Sequence, residues 1–141
     1  MIYSATVKEL KKGQVHPNWC RVLITKGRIP FGCKKKIDID ARRLYPNKGL
    51  IVEFILEEAK FRGANDVESM EKAFNLTHFD ARYRKQILSD SESITLIRSI
   101  KKEDLVNSWS RGRVCIVTDW PAHFPILVVL ESLIKSTIGD Q

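Results

Sequence analysis

The segment that most constrains the fold is a run of five apolar or β-branched residues, Val114-Cys115-Ile116-Val117-Thr118. A run without polar alternation is typical of a strand that is buried on both faces, as in a parallel sheet. It leads through the loop Asp119-Trp120-Pro121 into an apolar stretch that we predict to be a helix over about Pro125 to Lys135, with proline at its first position. A strand, loop and helix in this order form half of a βαβ unit and predict a parallel sheet covered by helices.

The rest of the chain supplies the other predicted elements. Alternation over residues 2–7 predicts one further strand, and a dense apolar run over 19–25 predicts another that is buried. Helical spacing of apolar residues predicts helices over 48–62, 66–74, 77–88 and from 91 onward, the last of which also fits a strand. We therefore predict an α/β fold, a small, mainly parallel three-layer sheet with a helical middle segment.

The size and apolar content of the chain fit one domain over residues 1–141. A domain usually takes about 100–200 residues, and this chain has 141. Apolar residues make up 43%, which supports a core and excludes an intrinsically disordered chain. No internal repeat, linker or low-complexity tract is visible.

Cysteine usage and the apolar stretches indicate a cytoplasmic protein. The three cysteines, Cys20, Cys33 and Cys115, form no CxxC pair, which argues against a zinc site and against a disulfide-stapled secreted domain. The N-terminus lacks the pattern of a signal peptide. The longest apolar stretch has seven residues, from Phe124 to Leu130, whereas a membrane span needs about 20. We expect no membrane association, no metal and no cofactor.

The positive charge is concentrated in the first third of the sequence. The formal net charge is +7. Residues 1–48 hold twelve basic and three acidic residues, a net +9, while residues 49–141 have a net charge of −2. A localised positive field binds anions, whereas dispersed charge mainly keeps a protein soluble. The sequence therefore predicts a partner with negative charge.

A basic loop after the second predicted strand is the candidate binding site. Glycine lets the backbone approach a ligand, cations contact phosphate groups, and an aromatic ring offers a stacking face for a base. The alternative is a solvated loop whose charge serves solubility alone. The chain has neither a Walker loop nor a GxGxxG dinucleotide motif. The candidate ligand-binding residues are Lys26, Arg28, Phe31, Lys34, Lys35 and Lys36, with Arg42 and Arg43 extending the surface.

Three further groups are candidates for chemistry. Asp38 and Asp40 would share a face of an extended segment, where they could bind a metal, although we favour the interpretation that they neutralise the adjacent basic residues. Asp119 is the candidate catalytic residue, with His123 as its acid/base partner, and the alternative is a carboxylate that stabilises a helix start. Cys33 lies beside three lysines and is the candidate reactive cysteine.

The C-terminal stretch Gly112-Arg113-Val114-Cys115-Ile116-Val117-Thr118-Asp119-Trp120-Pro121-Ala122-His123-Phe124-Pro125-Ile126-Leu127 resembles the end of the small α/β family named domain of unknown function 488. In that family an apolar strand ends in Cys-x-Glu, and a proline-containing loop leads to Cys-His-Arg at the start of the last helix. The spacing matches, as does the early loop Arg28-Ile29-Pro30, and Asp119 stands at the glutamate position. Val117 replaces the cysteine, and Pro125-Ile126-Leu127 replaces Cys-His-Arg. The resemblance implies an α/β fold in which the family's polar site has been lost.

These observations favour a non-enzymatic protein that binds a phosphate-bearing partner, nucleic acid first and a nucleotide next. The first alternative is a small enzyme acting on a nucleotide or nucleic acid, with Asp119 or the pair Asp38 and Asp40 as its acid–base or metal-binding group. The second is an inhibitor that binds an acidic protein surface. The oligomeric state is left open.

Overall fold

A four-stranded parallel sheet forms the centre of the protein. The computed structural model describes residues 2–61, 66–107, 114–119 and 123–135. Within this part of the chain, the strands run β1 (Ile2–Thr6), β2 (Cys20–Ile24), β3 (Ile39–Asp40) and β4 (Val114–Thr118). Their order in the sheet is β1-β4-β2-β3, and every neighbouring pair is parallel. The last strand of the sequence therefore lies inside the sheet, which explains why all five of its residues are buried.

Helices cover both faces of the sheet. In the described residues there are six α-helices and two short 3₁₀ turns, at Lys34–Lys36 and Arg42–Leu44. Five helices pack on one face and the short first helix packs on the other. The α-helices are α1 (Val7–Lys11), α2 (Lys48–Phe61), α3 (Asp66–Leu76), α4 (Phe79–Leu88), α5 (Ser91–Asn107) and α6 (His123–Lys135).

Alternate residues of the central strands build two cores. Val22 of β2 and Ile116 of β4 point into the larger core, under α2 to α6. Leu23 and Val117, their neighbours in sequence, point into the smaller core, under α1 and the loop that follows β2. This is the alternation of side chains that a strand imposes. The predicted α/β fold, a mainly parallel sheet in three layers with a helical middle segment, is confirmed.

Two elements were not predicted from the sequence. The helix α1 follows β1 directly and begins with a capping box. The backbone N–H of Glu9 donates to Thr6 Oγ1 at 3.2 Å, and that of Thr6 donates to Glu9 Oε1 at 3.0 Å. The irregular region predicted between β2 and α2 contains the edge strand β3. Because β3 has two residues, it is too short to show a strand period.

The predicted helices of the middle segment are confirmed. The segment from residue 91 onward, whose pattern also fitted a strand, is the helix α5. The last helix begins at His123 rather than at Pro125. Proline is accommodated there because the first four N–H groups of a helix have no acceptor within it. The loop residues Trp120 to Ala122 lie outside the described residues, as do Gly112 and Arg113. None of the helices in the described ranges is long and apolar enough to cross a membrane.

Candidate functional site

The loop between β2 and β3 is fixed to the sheet by its apolar residues. Cys33 is fully buried, and Ile29 and Ile37 are half-buried against the smaller core, which also contains Leu10 of α1 and Leu23 of β2. The loop and α1 thus form the outer layer on this face of the sheet. Most of their charged side chains are exposed to solvent.

Lys36 joins the loop to the end of α1. Its ammonium donates to the backbone carbonyl oxygens of Leu10 at 3.4 Å and Lys11 at 3.3 Å. Carbonyl groups at a helix C-terminus lack partners within the helix, and a cation there is favourable. The contact positions the lysines of α1 beside those of the loop, and it gives Lys36 a structural partner.

Exposed cations of these two segments form a surface that we call the basic face. All six side chains are exposed, and residues 7–37 contain a single carboxylate, that of Glu9, which is engaged by Thr6. No ion pair joins any of the six to another residue in the described part of the chain. The basic face comprises Lys8, Lys11 and Lys12 of α1 and Arg28, Lys34 and Lys35 of the loop.

Phe31 stands at the tip of the same loop. Its side chain is 96% exposed. The backbone N–H of Cys33 donates to the carbonyl oxygen of Pro30 at 3.0 Å and closes a turn around Phe31 and Gly32. Gly32 has φ 80°, the left-handed conformation that glycine adopts without strain. The turn therefore presents the ring to solvent next to the cations of the loop.

Lys26 is the first cation after β2 and is exposed. It lines a cleft of about 470 Å³ with Tyr45, Asn47 and Ile51, at the start of α2. The structure thus divides the five predicted cations of the loop: Lys26 is at the cleft, Lys36 is bound to α1, and the remaining three are on the basic face.

Arg42 and Arg43 are bound to carboxylates of the chain itself. Arg42 donates to Asp40 through Nε at 2.8 Å and Nη2 at 2.7 Å, and the guanidinium lowers the pKa of the Asp40 carboxyl. Arg43 donates to Asp90 at 2.7 and 3.0 Å and pairs with Glu92 at 3.0 Å. Both arginines line a second cleft, of about 730 Å³. Their charges are thus balanced within the chain, and Arg42 also donates from Nη1 to the carbonyl oxygen of Gly27 at 2.9 Å, directly before Arg28.

The two predicted carboxylates of the early segment have the same neutralising role. Asp40 binds Arg42, as above, while Asp38 accepts the backbone N–H of Arg21 at 2.8 Å and lies 3.6 Å from its Nε. Within the described ranges, no three His, Cys, Asp or Glu side chains cluster in a way that could hold a metal ion. Asp40 thus neutralises the adjacent Arg42, whereas the cation that Asp38 contacts, Arg21, lies 17 residues away in sequence.

Asp119 is half-buried at the carboxyl end of β4. Burial raises the pKa of its carboxyl group, and the nearby Lys11 ammonium partly opposes the rise. Ligands of parallel sheets bind at this end of the strands. Thr25, which follows the neighbouring strand, is also there: its hydroxyl is buried and has no hydrogen-bond partner among the described residues. The side chain of His123, the predicted partner of Asp119, lies outside the described part.

The prediction that Cys33 is a reactive cysteine is wrong, because its thiol is closed off from solvent. Cys33 is 0% exposed and packs in the smaller core, whereas a reactive thiol must meet solvent and its substrate. Cys20 and Cys115 are also buried, and burial raises the pKa of the Cys115 thiol to about 11. None of the three forms a disulfide.

Sequence reasoning missed the contribution of α1 to the basic face. Lys8, Lys11 and Lys12 contribute to the net charge of residues 1–48, but the sequence pattern predicts no helix there and assigns them to no site. The capping box at Thr6 and Glu9 was the available signal. Thr25 was missed because its hydroxyl becomes notable only once its burial is known.

Comparison with known proteins adds no relative to this picture. No family model, no curated protein and no solved structure matches the chain. The resemblance of the C-terminal stretch to domain of unknown function 488 stays a prediction. Inference about function therefore depends on the residues and their geometry.

Proposed function

We propose that the protein binds nucleic acid through the basic face. The observation that carries the proposal is the contrast between two sets of cations. Arg21, Arg42 and Arg43 bind carboxylates, and Lys36 binds α1. The six cations of the basic face are exposed and form no ion pair with any described residue. Unpaired cations are the groups that can replace the counterions of a phosphate backbone.

The position of these cations outside the two clefts described above favours a polymer over a mononucleotide. A small ligand is usually enclosed by a cleft, whereas a phosphate backbone is contacted along a surface. The clefts of about 730 and 470 Å³ are lined by other residues, chiefly the paired arginines in the first and Lys26 with Tyr45 in the second. The cations of the basic face are spread over a helix and a loop, which suits several successive phosphates.

The proposal is tested by the salt dependence of binding. Fluorescence anisotropy of labelled 20-nucleotide DNA and RNA, single-stranded and duplex, is measured between 50 and 300 mM salt. We expect the affinity for at least one of them to fall linearly on logarithmic axes. Replacing Arg28, Lys34 and Lys35 by alanine should reduce the slope by about 3, one for each lost phosphate contact.

A matched variant controls for net charge. Lys85, Arg98 and Lys102 are exposed residues of α4 and α5, the helices on the opposite side of the sheet, and their replacement by alanine removes the same three charges. This variant should keep nearly the wild-type slope. Equal losses in the two variants, or no salt-dependent binding to any of the probes, would overturn the proposal. The second result is also the one expected if the basic face binds an acidic protein.

As a second candidate we propose a small enzyme acting on nucleic acid, with Asp119 as its general acid or base. The favouring observation is its half-buried carboxyl group, whose pKa is raised and which lies near Lys11 of the basic face. A carboxyl group whose pKa is raised keeps its proton to higher pH, which suits a general acid. Incubation of labelled DNA and RNA with wild type and with Asp119→Asn tests it. Product formed by the wild type alone supports an enzyme, and identical substrate bands exclude this role for Asp119.

A further inference from the structure

We infer that the basic face binds single-stranded nucleic acid, with an unpaired base stacked on the ring of Phe31. This inference rests on the proposed function and names its substrate class. It starts from the exposure of Phe31, which is unlike that of any other large apolar side chain in the described residues. The others that are exposed all lie in helices and are 39–60% exposed, whereas Phe31 is 96% exposed and lies in a loop.

The turn orders the backbone that carries the ring before any ligand binds. Pro30 restricts the backbone before Phe31, and Gly32, at φ 80°, follows it in the position where this kind of turn needs a positive φ. The closing hydrogen bond runs from Cys33 to Pro30 at 3.0 Å, and the buried Cys33 anchors the turn in the smaller core. A backbone that is already ordered loses little entropy on binding, which favours a recognition role for the ring.

The neighbours of Phe31 supply the phosphate contacts that such a base needs. Arg28 lies three residues before it, and Lys34 and Lys35 lie three and four residues after it, all exposed and without an ion pair to any other described residue. Proteins that bind single strands combine cations along the backbone with aromatic rings on which successive bases stack. A ring that lies in sequence between Arg28 and the pair Lys34 and Lys35 matches this combination.

A duplex is a poorer partner for this arrangement. Its bases already stack on one another, so a protein ring reaches them only by inserting between two base pairs and unstacking them. In a single strand the base is available without that cost. Because every base has an aromatic face, the contact predicts little sequence preference.

The experiment measures three variants of Phe31 on single-stranded and duplex probes. Anisotropy is followed with a 15-nucleotide DNA strand, the RNA strand of the same sequence and the DNA duplex. We expect Phe31→Ala to weaken binding of the single strands by about 5- to 150-fold, the range for loss of one stacked base. Its affinity for the duplex and its salt slope on all probes should stay as in the wild type, because no charge is removed.

Phe31→Leu and Phe31→Trp separate stacking from apolar contact. Leucine keeps an apolar side chain without an aromatic face and should bind single strands nearly as weakly as alanine does. Tryptophan should keep the wild-type affinity. Its emission, taken as the difference from the wild type, should be quenched by a single strand. Unfolding curves should show that all three variants fold, since the side chain is exposed.

The outcomes distinguish the inference from the proposed function. Salt-dependent binding that Phe31→Ala leaves unchanged, or equal wild-type affinity for single strands and duplex, would overturn the single-strand inference and keep the basic face as a binding surface. Absence of salt-dependent binding to all three probes would overturn both. A loss on Phe31→Ala that Phe31→Leu fully restores would show an apolar contact and reject base stacking.

Discussion

The ammonium of Lys36 and the backbone carbonyl oxygen of Lys11 are joined by a hydrogen bond of 3.3 Å across 25 residues of sequence. The same ammonium is 3.4 Å from the carbonyl oxygen of Leu10. One of three consecutive lysines is thereby used to attach the loop to the end of α1, while Lys34 and Lys35 remain exposed. Three identical residues in a row thus have two different roles.

This division predicts different effects for two neighbouring lysines. Lys36→Ala should lower the free energy of unfolding by about 1 kcal/mol, because it removes a charge-assisted hydrogen bond to the helix C-terminus. Lys35→Ala removes the same charge from an exposed position and should change it by less than about 0.5 kcal/mol. Urea denaturation of both variants under the same conditions makes the comparison. Equal destabilisation would show that the contact of Lys36 contributes nothing.

The fold was largely predictable because its central strands are buried on both faces. The run around Ile116 has no charged residue and that around Val22 has only Arg21, and that composition indicates a parallel sheet. The order of the strands was not predictable, since insertion of β4 between β1 and β2 depends on contacts far apart in sequence. The strand β3 was not predictable for a simpler reason: its two residues are too few to show the alternation of a strand.

The site was predictable in its charge and less so in its geometry. The loop around Phe31 was identified from its cations and glycines. The sequence could not show which cations have partners: Arg43 reaches Asp90 across 47 residues, and only the folded chain brings the two together. A count of charges treats Arg43 and Lys35 alike, although one is paired and the other is exposed without an ion pair to any described residue.

Stability should depend on pH through Asp119 in a defined direction. Burial raises the pKa of this carboxyl above its ordinary value of 3.8, so the folded protein binds a proton more readily than the unfolded chain. Its contribution to stability is therefore present at low pH and is lost as the pH rises through the folded pKa. Asp119→Asn removes the cost of the buried charge and should be more stable than the wild type at pH 7. The difference in the free energy of unfolding between the two proteins should shrink as the pH falls towards 3.8. Urea denaturation across this pH range measures it. A difference that stays constant would contradict a raised pKa for Asp119.

Asp90 should show the opposite dependence. Its hydrogen bonds from Arg43, and then from Ser93, lower the pKa of its carboxyl, so its contribution is present above the ordinary value of 3.8 and is lost as the pH falls through the folded pKa. Asp90→Asn should be less stable than the wild type at pH 7 and should approach it in acid. Asparagine also caps helices well, so the change tests the ion pair more than the helix start. Thermal unfolding from pH 7 to pH 3 provides the measurement. As a control, Glu92→Gln should have little effect, because that partner of Arg43 is 71% exposed.

Two glycines with equally open surroundings should respond oppositely to alanine. An added Cβ meets nothing within 4 Å at Gly32 or at Gly49, so the two positions differ in backbone conformation and not in space. Gly32 has φ 80°, where alanine is strained, and Gly32→Ala should lower the free energy of unfolding by about 1 kcal/mol. Gly49 lies in α2, where alanine is the better helix former, and Gly49→Ala should raise the free energy of unfolding by up to about 1 kcal/mol.

Because Gly32 shapes the turn that presents Phe31, Gly32→Ala should also weaken the binding of single-stranded DNA in the anisotropy assay, while Gly49→Ala leaves it unchanged. A stabilising Gly32→Ala with undiminished binding would show that the left-handed turn does not position the ring.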